Sequence, residues 1–293
     1  MFVVTLIARA DRRNLTPDVV RPYAAAWESS GEAIWLAEGE AVRFSIPSMP
    51  SDYETMRARL GEQQIDLVIL PEAASGKKRL LLADMDSTMI GQECIDELAD
   101  EAGVGEQVAN ITARAMNGEL NFESALRERV GLLKGLEEAV IDRVLAERIV
   151  LAQGATTLIA TMRAKGCYTA LVSGGFTAFT SAIAGRLGMD ENRANSLLAE
   201  GGVLTGDVRH PILGADAKVE ALQDLRAKLD VSSTDIVALG DGANDLPMLK
   251  QAGMGVAVHA KPAVQAKHDT VINHADLTAL LYLQGISRTD FVV

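Results

Sequence analysis

Aromatic side chains are scarce in this chain of 293 residues: two Trp, four Tyr and six Phe make up 4% of it. The interior must therefore be mainly aliphatic, drawn from a 48% hydrophobic content. Cysteine is scarcer still. Cys94 and Cys167 give no disulfide framework, and the expectation is two buried free thiols in a reducing compartment. Positive charge is also short, with 28 Lys and Arg against 40 Asp and Glu and a net charge of −12. That excludes nucleic acid and anionic membrane as partners, since both need a basic surface. An anionic small-molecule substrate would need its charge met locally, by a metal and a few placed cations. No apolar run is long enough to span a bilayer. The start, Met1 to Thr5, lacks the basic segment of a secretory signal, so the expected location is the cytoplasm. The four histidines, His210, His259, His268 and His274, have no ligand-like spacing and read as surface or loop residues.

What the sequence does have is a stretch that organises the rest, Arg79-Leu80-Leu81-Leu82-Ala83-Asp84-Met85-Asp86-Ser87-Thr88. A short, wholly apolar run reads as a strand buried on both faces of a parallel sheet. Carboxylates at its end sit where open α/β sheets bind ligands. Strand alternation puts Asp84 and Asp86 on the same side. Two such carboxylates repel unless a divalent cation or a shared proton offsets them. A strand end turning into a helix, with Asp or Ser as its cap, is the plainer account of this motif taken alone.

Residues 1–75 read as a small separate unit. Strands over 2–8, 33–37, 41–46 and 67–70 and helices over 17–28 and 53–60 give the order βαββαβ of ferredoxin-like domains. This unit resembles the amino-acid-sensing ACT modules, although its first β–α turn, Ala8 to Arg13, has none of the glycine that close ligand approach favours. A linker over 73–78 leads into residues 76–293. There, about residues 91–150 lack any convincing strand and read as three or four helices, an inserted cap that would exclude water from a site beneath it. Strands then alternate with helices, near 168–172, 236–239, 254–258 and 270–272, with a hairpin around Glu200-Gly201 and a closing helix over 275–283. The pattern is that of an α/β, Rossmann-like doubly wound parallel sheet.

Three of the strands end in small polar loops: Asp84 to Thr88, Ser173-Gly174-Gly175-Phe176 and Gly240-Asp241-Gly242-Ala243-Asn244-Asp245. A fourth segment, Ala215-Asp216-Ala217-Lys218, opens the helix before the third. Parallel strands bring these ends to one edge. Together they hold a nucleophilic carboxylate, a second carboxylate, a hydroxyl on a glycine loop, a lysine and a further acidic pair, which is the inventory for phosphoryl transfer through an aspartyl intermediate.

In their order and spacing these segments resemble the haloacid dehalogenase (HAD) superfamily over about residues 79–285. The cap residues Glu93, Met116-Asn117-Gly118, Asn121-Phe122-Glu123 and Arg127-Glu128-Arg129 are similar to those of its phosphoserine phosphatases. The resemblance implies hydrolysis of O-phospho-L-serine to L-serine and phosphate, the last step of serine biosynthesis. It makes Asp84 the nucleophile and Asp86 the acid and base, with Lys218 pairing the phosphoryl oxygens. Mg2+ would be held by Asp84, the backbone carbonyl of Asp86 and Asp241. Ser173, Gly174, Lys218 and Asn244 would bind substrate, and Asp245 would orient Lys218 or a metal-bound water. Glu93 would take the substrate ammonium and Arg129 its carboxylate, with Phe122 and Met116 as a dry wall between cap and core. Arg127 lies on another face of the same helix. Two other readings share these motifs: a phosphatase or phosphotransferase for another small amino acid phosphate such as phosphohomoserine, and a non-catalytic amino-acid sensor. An exposed edge on the small sheet would suit a homodimer.

Overall fold

The computed structural model describes residues 1–116 and 119–293. The amino-terminal unit runs β1 (Phe2–Ala8), α1 (Pro17–Ala26), β2 (Ile34–Ala37), β3 (Ala41–Ile46), α2 (Tyr53–Glu62) and β4 (Ile65–Pro71). Pro17 opens α1, where its missing N–H costs nothing. The sheet is antiparallel in the order β2-β3-β1-β4. An antiparallel sheet commonly leaves one face wet, but β1 is buried from Val3 to Ala8. Val4, Leu6, Phe44 and Leu67 pack with α1 and α2 residues. On the other face Ile7, Ala41, Val68 and Leu70 join the main core with Leu280 and Tyr282. The small sheet is thus sandwiched between its own helices and the rest of the protein.

The larger sheet is built around β5 (Leu80–Ala83), every residue of which is fully buried. After β5 the chain enters four helices: α3 (Cys94–Glu101), α4 (Gly105–Met116), α5 (Phe122–Gly131) and α6 (Val140–Glu147). It goes in and out through one narrow neck, where Ile90 bridges Leu151 and the Gly91 and Ala152 N–H groups bond the Val150 and Met89 carbonyls at 3.0 and 2.9 Å. Then follow α7 (Ala155–Ala164), β6 (Tyr168–Phe176), α8 (Thr177–Leu187), β7 (Glu191–Asn195), β8 (Leu197–Glu200), β9 (Val203–Val208), α9 (Ala215–Leu229), β10 (Ile236–Gly240), α10 (Leu246–Gln251), β11 (Met254–Val258), α11 (Pro262–Gln265), β12 (Val271–Ile272) and α12 (Ala279–Leu283). The sheet is parallel in the order β12-β11-β10-β5-β6-β7. From β5 the chain winds outward to β6 and β7, and from β10 outward to β11 and β12. The switch point where ligands bind in such sheets therefore lies at the carboxyl ends of β5, β6 and β10.

Three features depart from the sequence reading. The edge strand β7, Glu-Asn-Arg-Ala-Asn, has no apolar alternation, because an edge strand needs little of it. The closing helix begins at Ala279 rather than Ala275, because the Asp276 carboxylate takes the Thr278 N–H at 2.8 Å in a local turn that competes with helix. The β8–β9 hairpin belongs with the cap: Gly135 and Glu138 N–H groups bond Leu204 and Gly202 carbonyls, and Leu204 N–H bonds the Leu136 carbonyl, all at 2.8–2.9 Å. Among the described residues no helix is long and apolar enough to cross a membrane.

Candidate active site

β5 stops at Ala83, and the chain turns at once, with the Thr88, Met89 and Ile90 N–H groups converging on the Met85 carbonyl. The expected alternation therefore does not reach Asp84 and Asp86, which have different partners. Asp84 Oδ1 accepts from the Met85 N–H at 2.8 Å and pairs with Lys218 Nζ at 2.7 Å. Lys218 rises from the first turn of α9 and also meets Asp245 Oδ1 at 2.6 Å. The lysine is 2% exposed and Asp245 is 0% exposed, so this triad is dry. Burial pushes the Asp84 carboxyl well up from its ordinary value, and the Lys218 charge acts against that. Burial works against the Lys218 ammonium, but Asp84 and Asp245 outweigh it and raise its pKa.

Asp86 has a separate set of partners. Its Oδ1 accepts from the Cys94 N–H at 2.9 Å, and its Oδ2 accepts from Ser173 Oγ at 3.2 Å. Ser173 Oγ in turn accepts from the Gly175 N–H at 2.8 Å. A Cβ on Gly175 would stand 2.8 Å from Asp86 Oδ2, so the loop needs glycine there for the carboxylate to reach the serine. Both cysteines are buried and free, and Cys94 contributes its backbone rather than its thiol.

Asp241 follows β10 and accepts from Thr88 Oγ1 at 3.1 Å. Burial, then Asp245, pushes its carboxyl up. One oxygen each of Asp84, Asp241 and Asp245 lie within 4.8 Å of one another. Asp245 is already committed, with Lys218 on Oδ1 and the Gly242 N–H on Oδ2 at 2.9 Å. Of these three carboxylates, Asp84 and Asp241 are the two left open to a cation. Hard oxygen donors and five carboxylates against Lys218 and Arg129 fit a divalent cation such as Mg2+. A cation here would also keep Asp84 and Asp241 ionised, which their burial opposes.

The cap supplies the other residues. Glu93 accepts from Ser87 Oγ at 2.8 Å, and Ser87 holds a left-handed φ of 54° to reach it. Glu93 opens to solvent at the mouth, yet desolvation and then Asp86 push its carboxyl up to about 7. Arg129 makes long bonds, to the Ala125 carbonyl at 3.3 Å and Thr112 Oγ1 at 3.4 Å. Burial draws its pKa down, against Asp96, Glu93 and Asp86. Phe122 packs on two core glycines: a Cβ on Gly174 or Gly214 would lie 3.1 or 3.3 Å from its ring. Met116 is 70% exposed and forms no dry wall, because it lies at the far end of α4. Asn117 and Gly118 lie outside the described residues. Asn244 is exposed on the β10 loop, and Arg127 bonds Glu123 at 2.7 Å and His210 at 3.1 Å rather than facing the carboxylates.

Two residues to which the sequence reading assigned no role also build the site. Thr88 holds Asp241, and its place directly after the DxDS run was the available signal. Asn195, buried at the end of β7, spends its side-chain bonds between two loops: Nδ2 donates to the Gly174 and Leu213 carbonyls and Oδ1 accepts from the Leu213 N–H, at 2.7–3.1 Å. A lone asparagine in a polar stretch carries no such signal. A cavity of about 80 Å³ lies against Ser173, Gly214 and Lys218.

Comparison with known proteins agrees with this geometry. The family model for haloacid dehalogenase-like hydrolases matches residues 81–250. The phosphoserine phosphatase of Haemophilus influenzae is 48% identical over 204 residues, which are 70% of this chain and 65% of that protein, just under two thirds of its length. The HAD family hydrolase t0658 of Salmonella enterica serovar Typhi superposes with a TM-score of 0.86 at 33% identity, covering 96% of this chain and 97% of that one. A phosphoserine phosphatase structure with a phospho-aspartyl intermediate analogue superposes with a TM-score of 0.65 at 43% identity, over 70% of this chain and 98% of that one. This chain belongs to the haloacid dehalogenase-like hydrolases, in the family of the phosphoserine phosphatases.

Proposed function

We propose that this protein is a Mg2+-dependent phosphatase that hydrolyses O-phospho-L-serine to L-serine and phosphate. The observation that carries this reading is the split between two carboxylates two residues apart. Asp84 is ion-paired to Lys218 in a dry pocket, whereas Asp86 is hydrogen-bonded to a hydroxyl and an N–H beside it. Asp84 Oδ1 is engaged by Met85 and Lys218, so Oδ2 keeps the free lone pair and is the attacking oxygen. A bond forms from Oδ2 to phosphorus, the ester P–O bond breaks, and Asp86 gives its proton to the leaving serine oxygen. Asp86 then takes a proton from water as the water oxygen attacks the aspartyl phosphate. The P–Oδ2 bond breaks, and Asp84 is returned with phosphate released. General acid–base help of this kind is worth ~10²–10⁴-fold. Lys218 and Ser173 meet the phosphoryl oxygens. Asp84, the Asp86 carbonyl and Asp241 would hold Mg2+, which would supply Lewis acidity that offsets the phosphoryl charge.

Glu93 and Arg129 select the substrate. A substrate ammonium beside Glu93 would draw its raised pKa back down and gain from doing so. Arg129 is charged, recessed and only weakly held, so its fork is available for a carboxylate. The relatives named phosphoserine phosphatase support the same substrate. The test is phosphate release from L-phosphoserine with Mg2+, beside phosphothreonine, phosphohomoserine and p-nitrophenyl phosphate, with Asp84→Asn as control. Selective turnover of phosphoserine that the variant abolishes is the expected result. Equal turnover of all four would refute the substrate assignment, and no turnover of any would refute the reaction.

A further inference from the structure

A phosphate monoester approaching this site meets a chain of net charge −12 and a mouth lined by carboxylates. Lys218 is buried at the bottom and cannot reach outward. An exposed lysine, Lys261, stands on the rim. β11 runs beside β10 in the register Gly240–Ala257, so the residues after Val258 flank Asp241. Lys261 is three residues beyond Val258, at the start of α11.

The rim segment is held by an unusual set of bonds. His259 has a left-handed φ of 47°, a conformation that costs free energy for a non-glycine residue. Its N–H donates to the Ile272 carbonyl at 2.8 Å, and its Nδ1 lies 3.2 Å from the Asn273 carbonyl. Gln265 Nε2 donates to the Ala260 carbonyl at 2.6 Å, and Gln265 Oε1 accepts from Asn273 Nδ2 at 3.0 Å. Asn273 is in turn held by the amino-terminal unit. Asp66, buried on β4, accepts from three consecutive backbone N–H groups, those of Asn273 at 2.8 Å, His274 at 3.1 Å and Ala275 at 2.9 Å. A continuous set of bonds therefore runs from Asp66 through Asn273 and Gln265 to the carbonyl next to Lys261.

We propose that Lys261 is the cation that draws anionic substrate to the mouth of the site, and that Asp66 of the amino-terminal unit holds it in place through Asn273 and Gln265. The inference rests on the phosphatase reading for its substrate, not for its geometry. It makes the amino-terminal unit a brace for the active-site rim.

Full-length Lys261→Ala, Lys261→Arg, Asp66→Asn, Gln265→Ala and Glu40→Gln are compared at saturating Mg2+. The readouts are kcat and KM for L-phosphoserine at low and high salt, and inorganic phosphate binding by calorimetry. Glu40 is the control, because its bonds to Tyr282 and Arg288 tie the same two units together away from the rim. Lys261→Ala should raise KM and weaken phosphate binding about threefold to fivefold at low salt, with kcat within about twofold. The gap should close near 1 M salt, where charges are screened within about 3 Å. Lys261→Arg should restore both. Asp66→Asn and Gln265→Ala should reproduce much of the KM shift, and Asp66→Asn combined with Lys261→Ala should do no more than Lys261→Ala alone. Glu40→Gln should lower Tm and leave KM unchanged. A Lys261→Ala shift that is absent or indifferent to salt overturns the steering role. A Tm loss in Asp66→Asn and Gln265→Ala with KM unchanged, or an additive double variant, overturns the brace. Phosphate binding that weakens in a protein inactive on phosphoserine would sink the substrate reading and leave this inference standing.

Discussion

Lys218→Met removes the one positive charge between two buried carboxylates. In the native protein Nζ lies 2.7 Å from Asp84 and 2.6 Å from Asp245. Methionine fills a similar volume, so the cost is electrostatic rather than a cavity. Breaking a buried ion pair by removing one partner costs about 3–5 kcal/mol, because the other charge is left uncompensated. Here two are left, and they face each other. The Asp84 carboxyl is already raised by burial against the pull of Lys218, and without that pull it rises further. Its folded pKa then stands above its unfolded one, so the folded state binds the extra proton. Stability accordingly falls as pH rises between the two values and is recovered as pH falls, by about 1.4 kcal/mol per unit of pKa difference. Urea unfolding in chelator, from about pH 5.5 to about pH 8, measures this as a gap from wild type that widens with pH. Mg2+ should narrow the gap at the higher pH by taking the place of the missing charge. Turnover should fall about 10²–10³-fold, the scale of losing one preorganised donor at the reacting group. A cost that is the same at every pH, or no cost at all, would refute the account of Lys218 as the counter-charge of a buried carboxylate pair.

Three further outcomes are expected. Arg129→Lys should raise KM for phosphoserine about tenfold and leave p-nitrophenyl phosphate unchanged, since a point charge cannot replace a planar fork at a carboxylate. The Glu93 carboxyl titrates at about 7, so kcat/KM for phosphoserine should drop as pH falls through that value, when Glu93 is neutral and no longer pairs the ammonium; Glu93→Gln should remove that limb of the profile, read as a ratio to p-nitrophenyl phosphate. Gly175→Ala should push Asp86 off Ser173 and cut kcat by about tenfold or more, the scale of acid–base catalysis lost in part, with KM little changed.

The parallel sheet was legible because β5, β6, β10 and β11 are short apolar runs that end in polar loops, and burial on both faces demands such runs. β7 was not, because an edge strand made of Glu, Asn and Arg pays no penalty for polarity. The acidic loops stood out by composition, and the structure brings Asp84, Asp86, Asp241, Asp245, Lys218 and Ser173 to one edge. What the sequence could not give is direction. DxD looks symmetric on paper, but the chain turns at Met85 and sends one carboxylate to a lysine and the other to a serine. Met116 failed for a related reason: its type suits a dry wall, but only its place on α4 decides what it touches. Asn195 and Asp66 act through backbone groups distant in sequence, and no local pattern reports such partners.

Two of the joints between cap and core lie far apart in the chain. The first is the neck at Ile90 and Leu151; the second is the β8–β9 hairpin, which clasps the 135–138 segment. A door on a single pivot swings in any direction, but one on two pivots turns only about the line that joins them. The second pivot is not neutral, because the chain that leaves β9 passes through Leu213 and Gly214 into the helix that carries Lys218. A turn of the cap about this joint would therefore bear on the helix that aims the ammonium.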